Sequence, residues 1–162
     1  FYGFSVLGCF RAIPRWGFAE RLREHVMASK IGFVEWQDSF ELGYQPLDDS
    51  RRFLVESLND LSRALGDGDY SEGGRLSLRF INAARRHFAR EEDILEAIEF
   101  PGREDHKAHH GKLITTAKNL EKLCQDDPDP EDVNRGFLEL MNMLLDDVIQ
   151  SDQDFRDYLP RG

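Results

Sequence analysis

Cysteine occurs only twice in the 162 residues, at Cys9 and Cys124, far apart and without a CxxC or Cys/His zinc spacing. That usage excludes a disulfide framework and a thiolate metal site, and it fits a reducing cytosol. Long apolar runs are also missing: the stretch 1–10 is too short to span a bilayer and ends at Arg11, Pro14 and Arg15. Basic charge is in deficit, with 21 Lys and Arg against 31 Asp and Glu and a net charge of −10. No basic stripe interleaves with aromatics, so neither a nucleic acid nor an anionic membrane surface is expected as a partner. No nucleophile, Gly-rich phosphate loop or paired acid/base motif supports a hydrolase or transferase, and the chain reads as a binding protein rather than an enzyme.

What is present is helical periodicity. Leu47, Leu54, Val55, Leu58, Leu61 and Leu65 predict a first helix over 47–65, with Asp48, Asp49 or Ser50 as its cap and Gly66-Asp67-Gly68-Asp69 as the closing turn. Leu76, Phe80, Ala84, His87, Glu91, Leu95 and Ile98 share one face of a second helix over 74–99, ended by Pro101-Gly102. A third runs over 103–123 on His106, His110, Leu113, Ala117 and Leu120, until Asp126-Asp127-Pro128-Asp129-Pro130 breaks the pattern. The fourth runs from 131 to about 158 on Val133, Phe137, Leu140, Leu144, Asp147, Ser151 and Phe155. With no strand-like alternation or repeat in competition, the expected fold is all-α, an up-down-up-down antiparallel four-helix bundle. Upstream, Phe33, Trp36, Phe40 and Tyr44 form an aromatic-rich arm expected to cover one end of that bundle. The chain begins at Phe1 and its first methionine is Met27, so residues 1–30 are treated as a leader without assigned function, His25 included. The domain is expected to start near Met27 and to occupy 31–162.

The chemistry lies in polar residues that interrupt the apolar stripes, because burying such a group unpaired costs on the order of 2–7 kcal/mol. His87 with Glu91, and His106 with His110, are each spaced i, i+4, which puts two donors on one helix face a turn apart. The short Pro101-Gly102 turn then brings the two pairs together, as a metal held between helices requires. Asp147 and Asp152 add two carboxylates, although five residues on an ideal helix turn them about 140° apart. Imidazole with carboxylate and no thiolate suits iron, manganese or zinc. The bland alternatives are a hydrogen-bonded polar core, and for Asp147 a solvated position beside Asp146. His109, about 100° from His110, is expected to face solvent.

At this point the chain resembles the hemerythrins, specifically bacterial hemerythrin-like domains, over about residues 31–159. The resemblance rests on Trp36-Gln37-Asp38-Ser39-Phe40-Glu41-Leu42-Gly43 ahead of Leu47-Asp48, and on His87-Phe88-Ala89-Arg90-Glu91-Glu92. It also rests on Pro101 with His106 and His110, and on Asp147-Val148-Ile149-Gln150-Ser151-Asp152. It implies two non-haem irons held by five histidines and two bridging carboxylates, with O2 or another diatomic bound at the iron left open. By that resemblance His87, Glu91, His106, His110 and Asp152 fall on ligand positions, Glu91 and Asp152 as bridges. Two histidine positions are occupied instead by Arg51 and Asp147. Aspartate ligates hard metals, so His106, His110 and Asp147 would serve one iron. Arginine stays protonated and has no lone pair to give, so Arg51 would pair with Glu91 or Asp152 in place of the other. The implied function is O2 binding, storage or sensing at an altered iron site. The alternatives are a metal-free interaction module built on the same fold and, third, an iron-dependent oxidase or peroxidase.

Overall fold

The computed structural model describes residues 32–125 and 127–160; the segment 1–30 expected to be a leader, with Cys9, His25 and Met27, lies outside the described residues. Four long helices form the bundle: α1 (Gln45–Gly66), α2 (Tyr70–Ala97), α3 (Arg103–Leu123) and α4 (Pro130–Asp146). Consecutive helices pack on one another and α4 returns to α1, so the four close into a ring whose short connections make neighbours antiparallel. No strand occurs among the described residues, and no described helix is long and apolar enough to cross a membrane.

The helix starts differ from the expected ones for local reasons. α1 begins at Gln45, with Pro46 in the first turn where a missing N–H costs nothing. Asp48 is therefore inside the helix and turns back, accepting from the backbone N–H groups of Leu42, Gly43 and Tyr44 at 2.7, 2.9 and 3.0 Å. α2 begins at Tyr70, because Asp69 caps it by accepting from Glu72 N–H. Gly73 lets this first turn close on α1, where a Cβ would meet Leu65 Cδ2 at 2.5 Å. α3 has the expected bounds.

The fourth helix departs most. Its α-helical hydrogen bonding ends at Asp146, and Asp147–Ser151 forms a π-helical turn closed by Asp152 N–H donating to Asp147 O. Two short 3₁₀ turns follow, Asp152–Asp154 and Arg156–Tyr158. The wider turn carries Asp152 inward and leaves the expected inward residue, Ser151, partly exposed.

The aromatic arm also differs from expectation. Only its last part, Leu42 and Tyr44, packs at one end; the rest runs antiparallel along α1: Gly32 O accepts from Ser62 Oγ, Val34 exchanges two hydrogen bonds with Asn59, and Phe40 O accepts from Arg51. Phe40 is buried and Trp36 packs on the core, but Phe33 is exposed. A large core around Phe80, Phe137, Leu61 and Leu120 fills most of the bundle, and a smaller cluster of Leu42, Leu47, Leu95, Phe155 and Leu159 closes one end. Along α1 and α2, Arg51 lies between Leu47 and Leu54, and His87 and Glu91 lie between Ala84 and Leu95, so a polar layer separates the two apolar clusters.

Candidate metal centre

All six residues singled out from the sequence meet in that layer. His87, Glu91, His106, His110, Asp147 and Asp152 are each no more than 6% exposed. Asp147 is thus no solvated helix carboxylate. It reaches the same centre as Asp152 because the π turn bonds i to i+5, removing most of the angular separation an α-helix would impose.

Glu91 and Asp152 each straddle the layer. Glu91 Oε1 lies 2.6 Å from His106 Nε2 and 3.2 Å from His110 Nε2, while its Oε2 lies 3.3 Å from His87 Nε2. Asp152 Oδ1 lies 3.6 Å from His106 Nε2, while its Oδ2 lies 2.8 Å from Arg51 Nε. Asp147 Oδ1 lies 3.7 Å from His110 Nε2. Three overlapping sets have donor atoms close enough to share an ion: Glu91 with His106 and His110, His106 with Asp147 and Asp152, and His87 with Glu91 and Asp152. Aromatic walls fix the imidazoles, Phe88 stacked on His110 at 3.8 Å between centroids and Phe155 edge-on to His106 at 5.4 Å.

Arg51, ordinarily a surface residue, is wholly buried. It makes an ion pair with Asp152 and not with Glu91, lies 3.2 Å from Asp48 Oδ1, and donates to the carbonyls of Phe40 and Val148. The guanidinium therefore ties the arm, α1 and the π turn together. The Nε to Asp152 contact is close but poorly aligned as a hydrogen bond, so its strength is chiefly Coulombic.

Three supporting residues escaped the sequence reading. Ser50, expected only as a possible cap, lies 2.8 Å from His87 Nδ1. Glu92 Oε1 lies 3.2 Å from His110 Nδ1, and its other oxygen lies 3.3 Å from Lys107 Nζ. His109 does not face solvent as expected: its side chain is 25% exposed, with Nε2 3.5 Å from Asp147 Oδ1. The usable signal was that a ligating histidine needs a partner on its second nitrogen, which directs attention to Glu92 beside Glu91.

The electrostatics show an excess of negative charge. Burial pushes the Asp147 carboxyl well above its usual range, and the charges of Asp152 and Glu91 add to this against Arg51. Burial and Glu91 likewise raise Asp152 to about 6, against Arg51, His87 and His106. Burial also acts to raise Glu91, but hydrogen bonds from His106, His110 and His87 outweigh it and hold that carboxyl well below its usual range. His106 is raised because its bond to Glu91 outweighs burial. His109 is lowered, by burial first and then by its neighbours His110 and His106, against a bond to the Met143 backbone.

The donor set was tested on its orphaned atoms. His87 Nε2, His110 Nε2, Glu91 Oε2 and both oxygens of Asp147 and of Asp152 are buried without a hydrogen-bond partner. Such a concentration in one layer is what a cation would satisfy and what a hydrogen-bonded polar core would not leave. The residues fit a metal ion.

Comparison with known proteins points the same way. A bacteriohemerythrin from Stenotrophomonas maltophilia (strain R551-3) is 26% identical over 127 residues, covering 78% of this chain and 82% of the relative. One from Clostridium acetobutylicum is 24% identical over 127 residues, covering 75% of this chain and 98% of the relative. A myohemerythrin from Sipunculus nudus is 26% identical over 85 residues, covering 52% and 66%. The chain is hemerythrin-like. No family model matches it. Within this hemerythrin-like bundle the two departures seen in sequence have opposite fates, Asp147 joining the donors and Arg51 standing among them as a cation.

Proposed function

We propose that the chain binds non-haem iron between α2, α3 and the π turn, through His106, His110, Asp147, Glu91 and Asp152 with His87 adjacent, and that it serves as an O2-related binding, storage or sensing protein rather than an enzyme. The observation that carries this reading is the convergence, around His110 Nε2 and the Asp147 carboxyl, of donor atoms buried without hydrogen-bond partners. His110 Nε2 lies 3.2 Å from Glu91 Oε1 and 3.7 Å from Asp147 Oδ1, while its Nδ1 is held by Glu92 at 3.2 Å. A cation placed between them would be ligated by all three. Non-haem iron supplies, beyond its protein donors, a coordination position at which a small diatomic ligand binds. The chain's own part is to fix the imidazoles by stacking and by their second nitrogens, and to exclude bulk water with Phe88 and Phe155.

The test is the metal content of the full chain after expression in iron-replete medium, with an absorption spectrum taken anaerobically and again in air. Bound iron with a visible band that appears in air and fades on deoxygenation is the expected result. One observation favours the metal-free alternative, the ion pair of buried Arg51 with Asp152. In that reading the chain holds no metal under any loading, and its thermal melt is unchanged by chelator.

A further inference from the structure

The two sides of the polar layer are not equivalent. One side gathers His106 Nε2, His110 Nε2, Asp147, Glu91 Oε1 and Asp152 Oδ1, two nitrogens and three carboxylates. The other offers His87 Nε2, Glu91 Oε2 and Asp152 Oδ2, and the last of these is already engaged by Arg51 Nε at 2.8 Å. The guanidinium cannot withdraw to make room. It has no solvent exposure and is held by the Phe40 and Val148 carbonyls and by Asp48. It keeps its charge and has no lone pair, so it repels a metal ion beside it and cannot help to ligate one.

The histidines on the two sides also have different neighbours. The Nδ1 of His110 faces the Glu92 carboxylate, which is itself held by Lys107. The Nδ1 of His87 faces the Ser50 hydroxyl, which donates to Leu47 O at 2.9 Å, and His87 Nε2 has only Glu91 Oε2 and Asp152 as carboxylate company, on the side where Arg51 already stands as the cation.

We infer that this chain holds one metal ion and not two: the ion sits on the His106, His110 and Asp147 side, and the Arg51 guanidinium is a permanent resident cation in the place of the second. This rests on the metal-binding reading above. Asp152 would then lie between a metal on its Oδ1 side and the Arg51 charge on its Oδ2 side, and Glu91 between a metal at Oε1 and His87 at Oε2. With two imidazoles and three carboxylates, the site is an oxygen-rich one suited to iron(II) or manganese(II).

The test loads the full chain with excess iron(II), or with manganese(II), under anaerobic conditions, removes free metal and counts ions per chain by mass spectrometry. One ion is expected for the wild type and for His87→Ala, and none for His110→Ala, with helicity checked for each. Arg51→His, if folded, is expected to double the count to two. Two ions in the wild type overturn the inference while leaving the metal-binding reading intact. No ion in any variant overturns the reading itself. Loss of the ion in His87→Ala as completely as in His110→Ala overturns the placement, and a folded Arg51→His that stays at one overturns the role given to the guanidinium.

Discussion

Replacing Arg51 by Met tests how far this buried cation sustains the metal-free fold. The change keeps an apolar stem of similar length but deletes the charge paired with Asp152 at 2.8 Å and the donors to Phe40 O, Val148 O and Asp48. Removing one partner of a buried ion pair costs about 3–5 kcal/mol, because the other charge is left uncompensated. The two orphaned carbonyls add cost, but the contributions share one side chain and do not sum. A loss of about 4 kcal/mol is expected, a large part of the 5–15 kcal/mol typical of a folded domain. For a chain of this size that lowers the melting temperature by roughly 8–16 °C. The assay is urea unfolding of the chelated chain at pH 7 followed by far-ultraviolet circular dichroism, with Arg63→Met as control. Arg63 is 66% exposed in its pair with Asp60, and removing it should change stability by no more than about 0.5 kcal/mol. The double change Arg51→Met with Asp152→Asn should cost less than the two single losses together, since no lone charge is left buried. If Arg51→Met loses less than about 1 kcal/mol, or behaves like Arg63→Met, then the guanidinium is not the counter-charge of this layer and the reasoning fails.

Glu92→Ala frees His110 Nδ1 and should weaken metal affinity by about 10–100-fold in a competition titration, whereas Ser50→Ala should leave it nearly unchanged because His87 is outside the ion's donor set. In the metal-free chain Asp152 titrates at about 6 against an ordinary 3.8. A carboxyl raised on folding contributes stability below its unfolded pKa and loses it as pH rises through the folded one. Relative to Asp152→Asn, the chelated wild type should therefore lose up to about 3 kcal/mol between pH 4 and 6 in urea melts, and saturating metal should offset that loss. Burial pushes the Cys124 thiol up to about 11, so alkylation of that cysteine at pH 8, read on its peptide by mass spectrometry, should be slow in the folded chain and fast in urea.

The architecture was legible because each helix carries its own apolar stripe, and a stripe of that period has only one geometry in which to be buried. The four long helices, the short connections and the i, i+4 pairs His87 with Glu91 and His106 with His110 are properties of neighbouring residues. The helix starts were less legible: Asp48 reads as the cap of α1 but serves the loop behind it, and Asp69, read only as part of a closing turn, caps α2.

Local periodicity determined that this chain is an α-helical bundle with imidazoles and carboxylates facing its interior. Tertiary structure decided the rest of the centre. The π turn brings Asp147 and Asp152 to one point, where an α-helical count would set them about 140° apart, and the turn is tied in place from outside its own helix by Arg51 donating to Val148 O and pairing with Asp152. Burial of Arg51 was likewise invisible locally, because a guanidinium at a helix start is exposed unless distant groups meet its charge and its donors. Here Phe40, Val148 and Asp152, from the arm and from the chain just past α4, do so together.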